Sequence, residues 1–240
     1  MTERTVDVLA VGPHPDDAEL LCGGTLARSA DQGYRTGILD LTRGEMGTRG
    51  TPELRAAEAD AAAAALGVSV RVNAGLCDAG ITNDREARVH LVGLLRDLRP
   101  RTVILPFVRG RHPDHRVAAE LCRDACFLSG LAKYGSGAPH RPHKILYALA
   151  FREDPVKPTF VVDISDQFDR KMEAIRAYSS QFEGVDQAGE AFPTGQPLYD
   201  LVETQFRHYG SLIRCSYGEP FYTDETVEIE DVARISVHSL

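Results

Sequence analysis

Strand-like and helix-like segments alternate through the first half of this 240-residue chain, and this alternation limits the fold more than any other feature. Short apolar runs rich in β-branched residues predict strands at 6–12, 34–42, 69–76 and 101–108. Helical spacing of apolar residues predicts helices at 18–31, 52–67 and 86–100. This order predicts an α/β fold of the doubly wound, Rossmann-like kind, a mostly parallel sheet with helices on both faces.

The second half of the chain is less regular. It predicts a helix over 115–134, strands over 143–150 and 159–165, a helix over 166–182 and a loop over 184–197. There is no internal repeat, low-complexity tract or long linker. We therefore expect residues 1–240 to form a single domain.

Composition excludes several classes of function. A net charge of -8 argues against general nucleic-acid binding, because a phosphate backbone must be met by clustered Lys and Arg. The N-terminal segment lacks the pattern of a secretory signal, and no apolar run is long enough to cross a bilayer. The five cysteines form no CxxC pair, which is typical of reduced, buried thiols. We expect a cytoplasmic protein without membrane or nucleic-acid partners.

The stretch VGPHPDDAELLCGG, residues 11–24, places a histidine and three carboxylates where the first strand ends and a helix begins. A dinucleotide site needs the G-x-G-x-x-G pattern there, and these carboxylates repel phosphate. His14 and Asp17 are spaced to reach one point, and imidazole with carboxylate is a common ligand set for zinc and other divalent metals. The alternative is that Asp16 or Asp17 only caps the helix.

A second polar cluster, RGRHPDHR, follows the fourth predicted strand and contains His112, Asp114 and His115. If the first and fourth strands are neighbours, both clusters lie at the topological switch point, outside the carboxyl ends of the strands. Together they supply three protein ligands and leave one coordination position open. An open position indicates a catalytic rather than a structural metal.

PHPDDAE followed by GGTLA, and later HPDHR, resemble the PIG-L or LmbE-like zinc-dependent N-deacetylases, which remove acetyl groups from N-acetylglucosamine-containing substrates. Further similarity runs through LDLTRGEMGTRGTPELRAAEA, AGLCDAGI, FVVDIS and AYSSQF, and so covers most of the chain. It is strongest to the bacillithiol-pathway branch, which acts on N-acetylglucosaminyl malate. The resemblance implies one LmbE-like deacetylase domain over 1–240.

The resemblance also implies roles for the polar residues. His14, Asp17 and His115 hold Zn²⁺, although Fe²⁺ or Mn²⁺ suits the same ligands. Asp16 is the general base and later protonates the leaving amine. His112 stabilises the oxyanion as a charged imidazolium, and Asp114 accepts its other N–H.

The resemblance further implies that Arg55, Arg111 and Arg141 lie near the substrate and Tyr199 near the reacting carbonyl. A malate conjugate carries two carboxylates, which arginine meets in bidentate fashion. Solvated surface positions are the alternative for each arginine. The expected partners are a small glycoside and further copies of the chain, commonly six in relatives. The rival functions are deacetylation of another GlcNAc glycoside, a chitin oligomer or a thiol-conjugate amide, metal-dependent sugar binding without turnover, and a structural zinc module.

Overall fold

A computed structural model describes residues 4–149, 156–183 and 198–237. Its strands form one seven-stranded sheet in the order β3-β2-β1-β4-β5-β7-β6. The five strands from β3 to β5 are parallel, and β7 runs antiparallel to both of its neighbours. The strand bounds are β1 Val8–Gly12, β2 Thr36–Thr42, β3 Val70–Leu76, β4 Thr102–Pro106, β5 Lys144–Ala148, β6 Phe160–Asp163 and β7 Gly218–Tyr222.

Helices cover both faces of this sheet, as the sequence predicts. On one face α1, α2 and α5 pack against one another, and on the other α3 packs against α4. The helix bounds are α1 Asp17–Asp31, α2 Pro52–Leu66, α3 Arg85–Leu98, α4 Pro113–Leu128, α5 Phe168–Arg176, α6 Ser179–Phe182 and α7 Leu198–Leu212. The predicted fold class is thereby confirmed.

Local sequence explains where the helices begin and end. The Thr51 side chain accepts the Leu54 amide at the start of α2, and Pro52 occupies the first helical position, where its missing N–H costs nothing. Gly67 ends the same helix at φ 71°, a left-handed conformation that suits glycine. The Asp84 side chain caps α3 in the same way, by accepting the Ala87 amide.

Differences from the sequence prediction lie in the second half of the chain. β7 and α7 were not predicted. The helix expected over 166–182 is divided into a 3-10 turn, α5 and α6. The loop expected over 184–197 lies outside the described residues. β7 escapes a pattern search because Glu219 and Pro220 interrupt its apolar residues, and its buried glutamate is satisfied by residues distant in sequence.

The core lies on both sides of β1 and β4. Leu9, Val103 and Leu105 face the helices α3 and α4, whereas Ala10 and Ile104 face α1. Because β1 and β4 are parallel, their carboxyl ends lie at the same edge of the sheet, where the two polar loops emerge. Within the described residues, no helix combines the length and apolar character needed to cross a membrane.

Candidate metal centre

The two histidine-containing loops meet at the carboxyl edge of the sheet. β1 pairs in parallel with β4, from Val8 opposite Thr102 to Ala10 opposite Ile104. The loop after β1 carries His14, and the turn after β4 leads to His112 at the start of α4. The switch point predicted from the sequence therefore exists, and it brings residues a hundred positions apart into contact.

The Asp17 carboxylate lies between two imidazoles. Its Oδ2 is 3.2 Å from Nδ1 of His14, and its Oδ1 is 3.1 Å from Nε2 of His115. One ligand atom from each of these three residues lies within 4.8 Å of the others. Two imidazoles and a carboxylate are a donor set that suits zinc and other divalent metals, so the residues predicted as ligands are grouped as a metal site requires.

The electrostatics of this group favour a cation. Burial alone lowers the pKa of His14, but the neighbouring carboxylates, Asp17 foremost and then Asp16 and Asp78, raise it to about 9. Burial raises the pKa of Asp17, and the imidazoles of His115 and His14 overcome this and hold it well below its usual range. The pocket therefore concentrates negative charge around His14, and a divalent cation would neutralise it.

His14 is also held on its outer side. Its Nε2 lies 3.1 Å from Oδ1 of Asp78 and 3.3 Å from Oδ2 of Asp114, leaving Nδ1 on the side of Asp17. Metal-ligating histidines commonly donate their other ring N–H to a carboxylate, which fixes the ring and its tautomer. The two outer carboxylates supply that arrangement.

Asp16 is adjacent to the ligands and immediately precedes helix α1. Its side chain makes no capping bond, which removes the helix-cap alternative for this residue. Its backbone has φ 116°, a strained value for a residue with a side chain, and such strain clusters at functional sites. Oδ2 accepts a 3.0 Å hydrogen bond from the buried Arg55 guanidinium. Burial raises the pKa of Asp16 to about 7, and the opposing charge of Arg55 limits the rise.

His112 lies beside the group, with its ring centroid 4.8 Å from that of His14 and 5.5 Å from that of His115. Its Nδ1 accepts the backbone N–H of Asp114 at the start of α4. Burial, followed by the nearby His14 and His115, lowers the pKa of His112. His14, His112 and Asp114 form a second group with ligand atoms within 4.8 Å of one another.

The Asp114 carboxylate was predicted to accept the other ring N–H of His112, but its described hydrogen bonds go elsewhere. The carboxylate accepts the Ala79 amide at 2.8 Å and contacts His14 instead. Because Nδ1 of His112 faces an amide that can only donate, it must be unprotonated, and the positive end of α4 disfavours a charged ring. The structure therefore favours a neutral imidazole, not the imidazolium expected from the resemblance.

The four predicted substrate residues do not come together. Arg55 is at the site, but its guanidinium donates to Asp16 and to the carbonyls of Pro15 and Gly44. Arg111 is exposed on the rim beside His112. Tyr199 lies in the first turn of α7, its ring 5.3 Å from the Arg176 guanidinium.

Arg141 does not lie at the site where substrate contact was predicted for it. It precedes β5, which runs parallel to β4, so it lies at the amino ends of the strands, opposite the metal group. There its guanidinium stacks on the Phe127 ring at 4.4 Å and donates to the Phe127 carbonyl.

Asp78 is a site residue that sequence reasoning missed. Besides contacting His14, its Oδ2 accepts the Met46 amide and its backbone N–H donates to Glu45, so it joins the glycine-rich loop after β2 to the metal group. It lies within AGLCDAGI, one of the stretches that resemble the family, but it was given no role there. The available signal was its position two residues beyond the predicted third strand, at the edge where the other polar loops lie.

A buried polar network centred on Arg71 lies beside the metal group. The Arg71 guanidinium binds Asp40 through two nitrogens and Glu19 through a third contact, and Tyr178 donates to the same Glu19 oxygen. These charges are paired with one another, whereas the second oxygen of Glu19, Oε2, is buried without a hydrogen-bond partner among the described residues. The third acid of the opening motif, Glu19, is therefore a structural anchor of α1.

The fold and these contacts define an α/β protein with a group of histidines and an aspartate at its switch point that could hold a metal ion. Comparison with known proteins then places it in a family. The model of the PIG-L family, described as GlcNAc-PI de-N-acetylase, matches residues 9–126. Diacetylchitobiose deacetylase of Thermococcus kodakarensis is 35% identical, over 88% of this chain and 80% of its own length.

Two further relatives bear on the comparison. A conserved protein of known crystal structure from Thermus thermophilus superposes with a TM-score of 0.84 at 40% identity, covering 94% of this chain and 98% of its own. A probable N-acetyl-α-D-glucosaminyl L-malate deacetylase of Bacillus cereus is 27% identical, over 74% of this chain and 84% of its own length. The chain belongs to the PIG-L/LmbE family of N-deacetylases and is an enzyme of that class, which confirms the family resemblance drawn from the sequence.

Proposed function

We propose that this protein hydrolyses the acetamide of an N-acetylglucosaminide with a divalent metal held by His14, Asp17 and His115. The observation that carries the proposal is the Asp17 carboxylate placed between two imidazoles, with a second carboxylate, Asp16, beside it but outside the ligand group. The relatives named as deacetylases of acetylated glucosamine compounds support the same reaction.

The residues fit a catalytic metal. Three donors on two loops leave a coordination position for water or substrate, and Asp78 and Asp114 hold His14 from outside. Bound there, Zn²⁺ polarises the acetyl carbonyl and lowers the pKa of water toward 7. Fe²⁺ and Mn²⁺ suit the same donors, so we propose zinc as the reference metal rather than the only one.

Asp16 is the proposed general base. It takes a proton from the attacking water as the oxygen bonds to the acetyl carbon, and it returns that proton to the amine nitrogen as the C–N bond breaks. The products are acetate and a free amine. A pKa raised by burial to about 7 suits both halves of this exchange, because the group holds and releases a proton near neutral pH.

His112 is the proposed oxyanion donor, acting as a neutral ring. With Nδ1 accepting the Asp114 amide, the single ring proton is on Nε2, where it can be donated to the carbonyl oxygen as negative charge develops. A nearby divalent cation disfavours the charged ring still further. Asp114 then contributes by its backbone N–H and through His14, not by its carboxylate on His112.

The aglycone is the finer question. The sequence resemblance favours the malate conjugate, which needs cations for two carboxylates. Within the described part of the chain, Arg55 is engaged by Asp16 and Arg141 lies at the other edge of the sheet. Arg111, which is exposed beside His112, and Tyr199 in α7 stay as proposed substrate contacts. We therefore propose a neutral GlcNAc glycoside of the diacetylchitobiose type as first candidate, with the malate conjugate second.

Steady-state deacetylation of three compounds separates these candidates: N,N′-diacetylchitobiose, N-acetylglucosaminyl malate and free N-acetylglucosamine. A cognate aglycone should raise kcat/KM over the free sugar by more than about tenfold. Diacetylchitobiose should show that gain. If only the malate conjugate shows it, the second candidate is correct, and turnover of none of the three by zinc-loaded protein refutes the proposed function.

We also propose that the chain assembles with copies of itself. The C-terminal segment 224–237 leaves Val227, Val232 and Val237 more than half exposed, and Phe127 nearby is 59% exposed. Apolar surface of this kind marks interaction sites. Light scattering should give a mass that is a multiple of 26.3 kDa, with six copies as the expected number; a monomer at all concentrations contradicts this.

A further inference from the structure

Helix α1 is broken immediately after the metal group. Cys22 has φ -144° and ψ 20°, values outside the helical region, within an otherwise helical segment from Asp17 to Asp31. In a regular helix the Gly24 amide would donate to the Leu20 carbonyl four residues earlier. A break at Cys22 leaves these groups in need of other partners, since the Gly24 amide is buried and the Leu20 carbonyl is partly buried.

A buried ion pair fills the break. Nζ of Lys171 donates to the carbonyls of Glu19 and Leu20, at 2.9 Å each, and the Glu219 carboxylate accepts the amides of Gly24 and Thr25 at 2.9 and 2.7 Å. The two charged groups are 2.7 Å apart. The pair thus stands between Leu20 and Gly24 in place of the hydrogen bond that a continuous helix would make.

This pair is costly to bury, since both side chains are 0% exposed. Buried pairs are weak evidence for stability, because the loss of hydration offsets the attraction between the charges. Lys171 comes from α5 and Glu219 from β7, so the pair also ties α1 to two elements of the second half of the chain. Its position points to a role in aiming the short segment from Asp17 to Leu21.

We propose that Lys171 and Glu219 are positioning residues for the metal centre. This inference rests on the proposed function. The pair fixes the first turn of α1 as a separate unit, so that Asp17 reaches between His14 and His115 while the rest of the helix packs along the sheet. Without the pair, the segment is free to rejoin the helix axis, and Asp17 loses its placement between the two imidazoles.

The test compares two buried cations. Lys171→Met removes the pair, and Arg96→Met is the matched control. Arg96 is also buried and donates to backbone carbonyls, those of Ser129, Leu131 and Ser136, but at the amino edge of the sheet. Zinc affinity is measured by competition with a chromogenic chelator, on each variant at a temperature where circular dichroism shows it folded.

We expect Lys171→Met to weaken zinc binding by about tenfold or more, the size typical of lost supporting contacts around metal ligands. Arg96→Met should bind zinc as the wild type does, and Lys171→Arg, which keeps a buried donor, should recover part of the loss. If Lys171→Met does not fold, Glu219→Gln takes its place, with the same loss expected.

Equal zinc affinity in the Lys171 and Arg96 variants overturns the positioning role and leaves the proposed function intact. Absence of zinc binding by the wild type overturns the proposed function itself. The measurement needs no substrate, so the two failures are distinct.

Discussion

Replacing Asp16 with asparagine separates metal binding from proton transfer. The side chain lies outside the ligand group and makes no helix-capping bond, so the change removes neither a metal ligand nor a helix cap. Asparagine tolerates the left-handed backbone found at this position about as well as aspartate does. Arg55 keeps its bonds to the carbonyls of Pro15 and Gly44. The variant should therefore fold and bind zinc.

The expected loss is in the rate. A general base contributes about 10²- to 10⁴-fold, and it works best with a pKa near the operating pH. We therefore expect kcat to fall by about 10²- to 10⁴-fold. This corresponds to about 3 to 5.5 kcal/mol of barrier.

The assay measures acetate release from diacetylchitobiose together with zinc content of the same sample. Asp60→Asn is the control, because Asp60 is an exposed carboxylate on the neighbouring helix α2, and it should leave kcat unchanged. A fully zinc-loaded Asp16 variant that keeps more than about a tenth of the wild-type kcat would refute the assignment of Asp16 as the base.

Four other perturbations test the fold and its chemistry. Chelation should abolish activity and leave the circular dichroism spectrum unchanged; loss of the spectrum on chelation would indicate a structural metal. Gly24→Ala places a methyl group 2.7 Å from the Ile164 side chain and should lower the unfolding free energy, measured in urea, by about 1–3 kcal/mol. Gly23→Ala, whose new methyl group lies 3.5 Å from the nearest atom of Leu66, should lower it less. The reverse order contradicts the packing described. Glu219→Gln breaks the buried pair with Lys171 and should lower the unfolding free energy by about 3–5 kcal/mol, and a neutral result would show that the pair is dispensable. Burial raises the pKa of Asp40 to about 6, so its contribution to the stability of the metal-free protein is complete below the ordinary pKa of 3.8 and is lost as the pH rises through 6. Asp40→Asn should therefore flatten the dependence of the unfolding free energy on pH between these two values. An unaltered pH dependence contradicts the assignment.

The parallel half of the fold was predictable because its signals are local. Apolar runs, the Thr51 and Asp84 caps and the glycine at position 67 mark β1 to β4 and α1 to α3 to within a few residues. β7 depends on a different kind of information. Its Glu219 can be buried only because Lys171 and the amides of the broken helix α1 bind the carboxylate, and no local pattern reveals such distant partners.

The metal centre was predictable for a related reason. Its ligands occur in two compact motifs at strand ends, and strand order alone brings those ends together. Asp78 lies in a stretch that resembles the family, but its contact with His14 depends on the course of the loop after β3. The substrate arginines were assigned by resemblance, which carries no information about burial. Arg55 is hydrogen-bonded to Asp16. Arg141 precedes β5, which is parallel to β4, and so it lies at the amino ends of the strands, away from the site.

Anomalous scattering at the zinc edge from crystals of the zinc-loaded protein tests the central claim most directly. One peak should lie within bonding distance of His14, Asp17 and His115, with Asp16 beside it and unbound. A peak shared instead by His14, His112 and Asp114, the alternative group of ligand atoms in this pocket, would contradict the account.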